Sequence, residues 1–151
     1  MAAQERTVLQ ASAVAIAGRA VLIEGKPGSG KSSLALALID RGAGLIGDDG
    51  VTLSRGADGG LIAAPPPHIA GLIEVRGIGI VQLEPAPPAP VALILALPSP
   101  GDPPPERLPE RIAVRTLHEC EVPVLPFDPG VIAPALRAEW ALRLHGLGQP
   151  R

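Results

Sequence analysis

Residues 25–33 read GKPGSGKSS. This stretch holds both lysines of the chain, Lys26 and Lys31, while eleven arginines are spread over the rest. The order Gly25, four residues, Gly30, Lys31, Ser32 has the spacing of a phosphate-binding P-loop. Glycines let a backbone wrap until several amide N–H groups converge on phosphate oxygens. The expected phosphate-binding segment is therefore Gly25, Lys26, Pro27, Gly28, Ser29, Gly30, Lys31 and Ser32. Lys31 would bring a compact ammonium to the β and γ phosphates, and Ser32 a hydroxyl to Mg²⁺. The flanks agree. RAVLIE (19–24) reads as a strand, and SLALALID (33–40) as a buried helix that stops at Gly42. Strand, glycine-rich loop and helix in that order predict an α/β chain with a nucleotide site, the helix N-terminus adding its positive dipole end.

The rest of the composition narrows the class. At 151 residues the length fits one domain with a core of its own, expected to span 1–151. The apolar fraction is 46% but the aromatic fraction only 1%, so Ala, Val, Ile and Leu must build the core. Glycine (18) and proline (19) approach the level at which disorder sets in, but they cluster between apolar runs and read as stiff loops. A net charge of −2 with no basic tract disfavours nucleic acid. No apolar run reaches transmembrane length, and MAAQERTVLQ lacks the pattern of a signal peptide, so no membrane association is expected. The lone Cys120 fits a reducing cytoplasm. With His118 it offers two metal-ligand types, too few for a site.

Along the chain, TVLQASAVAIAG reads as one strand turning at Ala17 and Gly18 into RAVLIE. GLIGDD (44–49) is an apolar strand ending in two aspartates, and residues 51–64 form a hairpin turning at Asp58, Gly59 and Gly60. GLIEVRGIGIVQL (71–83) reads as a strand interrupted by glycines, and VALILAL (91–97) as a fully buried strand. Residues 98–109 form a proline-rich loop. CEVPVLPF (120–127) reads as an edge strand because of its prolines. The last element, residues 132–146, is an amphipathic helix with Leu136, Trp140 and Leu144 on one face.

VALILAL ends in Pro98, so the acidic partner that P-loop enzymes use must come from elsewhere. GLIGDD supplies it: Asp48 and Asp49 fall at a strand end beside the phosphate loop, suited to proton exchange with a substrate. The alternative is a turn that introduces Gly50. In EVRGIGI (74–80), Glu74 and Arg76 share one side of a strand, and Gly77 and Gly79 leave room for close approach. Glu74 is placed to bind Mg²⁺ opposite Ser32, and Arg76 to neutralise transferring phosphoryl charge. An exposed salt bridge is the alternative.

GKPGSGKSSLALALIDRGAGLIGDD followed by LIEVRGIGIV resembles the catalytic domain of HPr kinase/phosphorylase, particularly the short alphaproteobacterial forms. The resemblance runs from about residue 7 to about residue 130. It implies a P-loop domain akin to phosphoenolpyruvate carboxykinase, with a mixed β-sheet and flanking helices. It also implies an ATP- and Mg²⁺-dependent kinase that phosphorylates a serine of the phosphocarrier HPr, with a reverse, phosphate-dependent removal of that group. By the same resemblance Asp49 accepts the serine proton, Asp48 supports it, Lys31 holds phosphate, and Ser32 with Glu74 binds Mg²⁺. Arg107 aligns with a later catalytic arginine, and assembly as a hexamer is expected. The N-terminal regulatory domain of the long forms is not expected. Gln10 stands where the family often has a histidine, and it cannot carry a proton at neutral pH; His68 is a distant substitute.

Two other readings account for the loop. A small-molecule nucleotide kinase also uses a proline here, but it needs lid arginines, and between residues 20 and 106 arginine occurs only at Arg41, Arg55 and Arg76. A non-catalytic nucleotide sensor fits Gln10 but not the retention of Asp48, Asp49 and Glu74.

Overall fold

The computed structural model describes residues 5–148. In chain order these residues form β1 (Arg6–Leu9), β2 (Ser12–Ile16), β3 (Arg19–Glu24), α1 (Lys31–Asp40), β4 (Gly44–Gly47), β5 (Val51–Arg55) and β6 (Leu61–Ala64). There follow β7 (Leu72–Val75), β8 (Gly79–Gln82), β9 (Ala89–Ala96), β10 (Ala113–Leu117), β11 (Cys120–Pro126) and α2 (Pro134–His145).

The main sheet runs β1-β5-β6-β9-β3-β2-β4, with β11 also on β9 and β10 outside it. The strand predicted as most buried, β9, is the hub. It runs parallel to β3 along one side, while the other side takes β6 near its start and β11 near its end. This forking curls the sheet. The strands then enclose an apolar cluster built with no helix, including Leu22, Ile46, Leu53, Val91 and Ile94. The opposite face carries both helices over Val21, Ile23, Leu93 and Leu95. In α1 the buried positions are Lys31, Leu34, Ala35 and Leu38, the i, i+3, i+4, i+7 row of one helix face.

Several expectations are corrected here. The first predicted strand is two. The chain bends at Gln10, so that β1 pairs with β5 while β2 pairs with β3 and β4. Residues 71–83 form a hairpin rather than one strand, and Arg76 leaves the strand for its turn, closed by Ile78 N–H donating to Val75 O. Among the described residues that hairpin pairs with no other strand, and an isolated hairpin is marginal in water. Ile73, wholly buried in the helix-side core, is worth about 1.5–3 kcal/mol and ties it down.

CEVPVLPF is no edge: β11 lies between β10 and β9. Its prolines are tolerated because each falls where the strand has one neighbour. Pro123 faces only β10, and Pro126 only β9. The true edge, β10, carries largely exposed residues that give no apolar alternation. Pairing with β11 defines it, and Arg115 anchors it by an ion pair to Glu24, the last residue of β3.

The last helix turns its Leu136, Trp140 and Leu144 face away from its own domain. Ala135, Ala138, Ala141 and Leu142 are buried, while Leu136, Trp140 and Leu144 are exposed. Small alanines let α2 approach α1 closely, and larger side chains would hold the helices apart. An ion pair between Arg41 and Glu139 (2.9 Å) closes this contact at the surface.

Candidate active site

The loop from Gly25 to Gly30 leaves the C-terminal end of β3 beside the end of β9, where open α/β sheets place their ligands. Gly30, with φ 103°, is the residue from which α1 starts, so Lys31 stands in the helix's first turn, two residues earlier than predicted. Lys31 lies on the buried row and is only 8% exposed. Its ammonium folds back to donate to Gly25 O at 2.6 Å and stands 3.6 Å from Asp49 Oδ1. The cation is thus held inside the loop it serves.

Gly25 is required by space. A Cβ there would lie 2.3 Å from Ser29 Oγ and 3.2 Å from the Leu97 side chain. Ser29 Oγ is itself buried without a hydrogen-bond partner. We therefore expect Gly25→Ala to fold but to bind nucleotide about tenfold more weakly, because the loop must shift to admit the methyl group. Titration calorimetry beside a melting curve checks both parts of this expectation.

The strand carrying the aspartates ends at Gly47, so Asp48 and Asp49 lie in the bend beyond β4 rather than in it. A Cβ on Gly47 would meet Gly50 O at 2.0 Å, so this tight return needs glycine. The bend gives the two carboxylates different surroundings. Asp48 is half-buried and held by three donors: Oδ1 accepts from Ser32 Oγ (2.6 Å) and Ser12 Oγ (3.0 Å), and Oδ2 from Glu74 N–H (3.0 Å). Asp49 has a left-handed backbone (φ 58°) and a side chain 58% exposed, facing the Lys31 ammonium.

These groups surround one cleft of about 310 Å³. Every residue expected at the site lines it except Gly25 and Ser29, which belong to the loop's base, and Arg107. Arg76 reaches the cleft from the hairpin turn, not from the same strand face as Glu74. Arg107 is exposed in the proline-rich loop and does not line the cleft. Gln10 and His68 are exposed and do not line it either. His118 and Cys120 are engaged elsewhere: His118 Nε2 is 2.9 Å from Thr7 Oγ1, and the Cys120 thiol donates to Gly59 O.

A divalent cation fits the donors on the cleft wall. Ser32, Asp48, Asp49 and Glu74 all offer hard oxygen atoms, and Ser32 spends its proton on Asp48, which leaves its oxygen lone pairs toward the cleft. Among the described residues no group of three or more His, Cys, Asp or Glu forms a closed metal cage. Mg²⁺ does not need one, since it takes one or two carboxylates and completes its shell with phosphates and water.

Sequence reasoning missed Ser12. It is wholly buried, donates to Asp48 and accepts the Asp49 amide (3.2 Å). The available signal was a single hydroxyl in the otherwise apolar ASAVAI.

Fold and site together define a mixed α/β protein with a curled sheet, two helices on one face, a lysine in the loop-to-helix turn after β3 and two adjacent aspartates in the bend after β4. The family is narrower. The model of the HPr Serine kinase C-terminal domain matches residues 2–86, and the chain belongs to that family.

Among solved structures, the Hpr(Ser) kinase/phosphatase from Coxiella burnetii is similar at a TM-score of 0.80. The two share 29% identity over 92% of this chain and 95% of that one. The HPr kinase/phosphorylase of Bordetella petrii is 47% identical over 68 residues, covering 45% of this chain and 22% of its own length. That of Clostridium botulinum (strain Eklund 17B / Type B) is 47% identical over 77 residues, 51% of this chain and 25% of the relative. The matched stretch thus spans about a quarter of these curated relatives. Among the described residues no helix is long and apolar enough to cross a membrane.

Proposed function

We propose that residues 1–151 form one catalytic domain that transfers the γ-phosphoryl group of ATP to a serine of the phosphocarrier HPr. The observation that carries this reading is the division of labour between the two aspartates. Asp48 is tied to Ser32 and to the Glu74 main chain, whereas Asp49 is open to the cleft beside the phosphate-loop lysine.

In this mechanism the 25–32 loop is a P-loop whose amides cradle the phosphates, and Lys31 draws charge from the β and γ oxygens. Asp49 accepts the proton of the acceptor serine as its oxygen bonds to the γ-phosphorus and ADP leaves. Arg76, across the cleft, stabilises charge on the transferring group. Ser32 and Glu74 would hold Mg²⁺, which supplies charge neutralisation on the phosphates when bound.

The forward direction uses only groups at the cleft. Reversal by inorganic phosphate needs Asp49 to return the proton, and the family's usual histidine is here an exposed Gln10. The same reading includes a homo-oligomer, a hexamer by resemblance to the family. The exposed stripe of Leu136, Trp140 and Leu144 supports an interface.

Labelled ATP, Mg²⁺ and HPr of the same organism test the proposal directly. Label on HPr serine supports it. Label on a nucleotide, or binding without transfer, replaces it with a small-molecule kinase or a sensor. Glu74→Gln tests the metal site. The main-chain N–H that reaches Asp48 survives, but a cleft carboxylate is lost, so the Mg²⁺ concentration for half-maximal transfer should rise at least about tenfold. Metal-free nucleotide binding should hold. Unchanged Mg²⁺ dependence with a lower melting point would make Glu74 structural.

A further inference from the structure

The two aspartates are adjacent in sequence, and nothing in their chemistry makes one a base and the other a scaffold. Their surroundings do, and Ser12 is the residue common to both. It opens β2 on the face that carries α1, opposite Ile23 of β3, and it has no exposure to solvent. A buried hydroxyl must have partners. Both of its partners belong to the aspartate bend: Ser12 Oγ donates to Asp48 Oδ1 at 3.0 Å and accepts the Asp49 N–H at 3.2 Å.

We infer that Ser12 is a positioning residue that assigns the two aspartates their roles. Its proton fills Asp48 Oδ1 together with that of Ser32, and Oδ2 takes the Glu74 N–H, so Asp48 is largely engaged as an acceptor. Its lone pair anchors the amide of Asp49, whose left-handed backbone (φ 58°) is costly for a non-glycine residue and persists only when its surroundings fix it. With that amide held, the Asp49 carboxylate is presented at the cleft, 3.6 Å from the Lys31 ammonium. Without it, the bend has an unpaired amide, and Asp48 Oδ1 loses one of its two donors. Ser12 touches no cleft volume itself and acts only through the pair.

This inference rests on the phosphotransfer reading, and the test separates the two. S12A removes the hydroxyl without adding bulk, and S12T restores it. Hydrogen exchange at the Asp49 amide reads the anchor without any substrate. S12A should exchange at least about tenfold faster there, with S12T near the parent. In the transfer assay with HPr, S12A should lose about tenfold in kcat with ATP KM within about twofold, again recovered by S12T. A general loss of stability would instead raise exchange across β2 and β3 together and would not spare KM.

Unchanged Asp49 exchange in S12A overturns the inference. So does faster exchange with kcat within about twofold of the parent. If the parent protein transfers no phosphate to HPr, the proposed function falls, and the exchange result alone decides whether Ser12 positions the pair.

Discussion

Asp49→Asn should transfer phosphate to serine at least about a hundredfold more slowly than the parent while binding ATP as tightly or slightly better. The amide keeps the shape of the carboxylate and its hydrogen-bonding reach but has no basic site, and a positioned base contributes on this scale. The structure makes the substitution a clean one. The Asp49 side chain is 58% exposed and its one ion-pair contact is Lys31 at 3.6 Å, and Lys31 keeps its bond to Gly25 O without it. The loss therefore reads as chemistry and not as unfolding. Binding should not suffer, because removing a negative charge beside the phosphate site relieves repulsion with the nucleotide. Single-turnover transfer from labelled ATP gives the rate, and calorimetry gives the affinity. Wild-type transfer by Asp49→Asn would remove the base from the mechanism and leave a nucleotide sensor as the better reading. Asp48→Asn is the control: its carboxylate accepts three hydrogen bonds, so its loss should disturb Ser32 and the hairpin and lower stability as well as rate.

Lys31→Ala should abolish measurable ATP binding, with an affinity loss of at least about a hundredfold. Two effects act in the same direction. The ammonium that would meet the phosphates is gone, and Lys26, the other lysine, is exposed and does not share the inward position. The loop also loses its internal tie, since the Lys31 ammonium bonds Gly25 O at 2.6 Å. Asp49 is then left beside the phosphate site with no cation to offset it. Lys31→Arg separates the contributions: it keeps the charge, but a planar guanidinium cannot occupy the same 8%-exposed space. Tight ATP binding by Lys31→Ala, measured by calorimetry, would overturn the assignment of the loop.

Much of the site was legible because its signals are local. The glycine spacing, the lysine and the serines lie within one loop, and the chemistry of phosphate demands those residue types in that order. The aspartates were legible for a similar reason: an apolar run ending in two acids sits one helix after the loop. The hairpin of β5 and β6 followed from its turn residues, with Gly56 N–H donating to Gly60 O where the turn was expected. Residues with extreme burial were equally readable: VALILAL is the buried strand it was expected to be, and the fold makes it the hub.

What the chain order alone determined, then, was which residues gather at one cleft and which segments are apolar enough to be central. Tertiary structure decided which faces meet. The last helix carries both an alanine face and a Leu–Trp face, and only its packing against α1 and β9 selects the alanines for burial. β11 became an inner strand because β9 offers it a free edge where its prolines do no harm. Above all, the unequal surroundings of Asp48 and Asp49 depend on Ser12, 36 residues from Asp48 in sequence, on Ser32 and on the Glu74 amide. Hydrogen bonds between distant segments leave no period or motif in a sequence, because each partner is an ordinary residue until the fold brings it within 3 Å of the other.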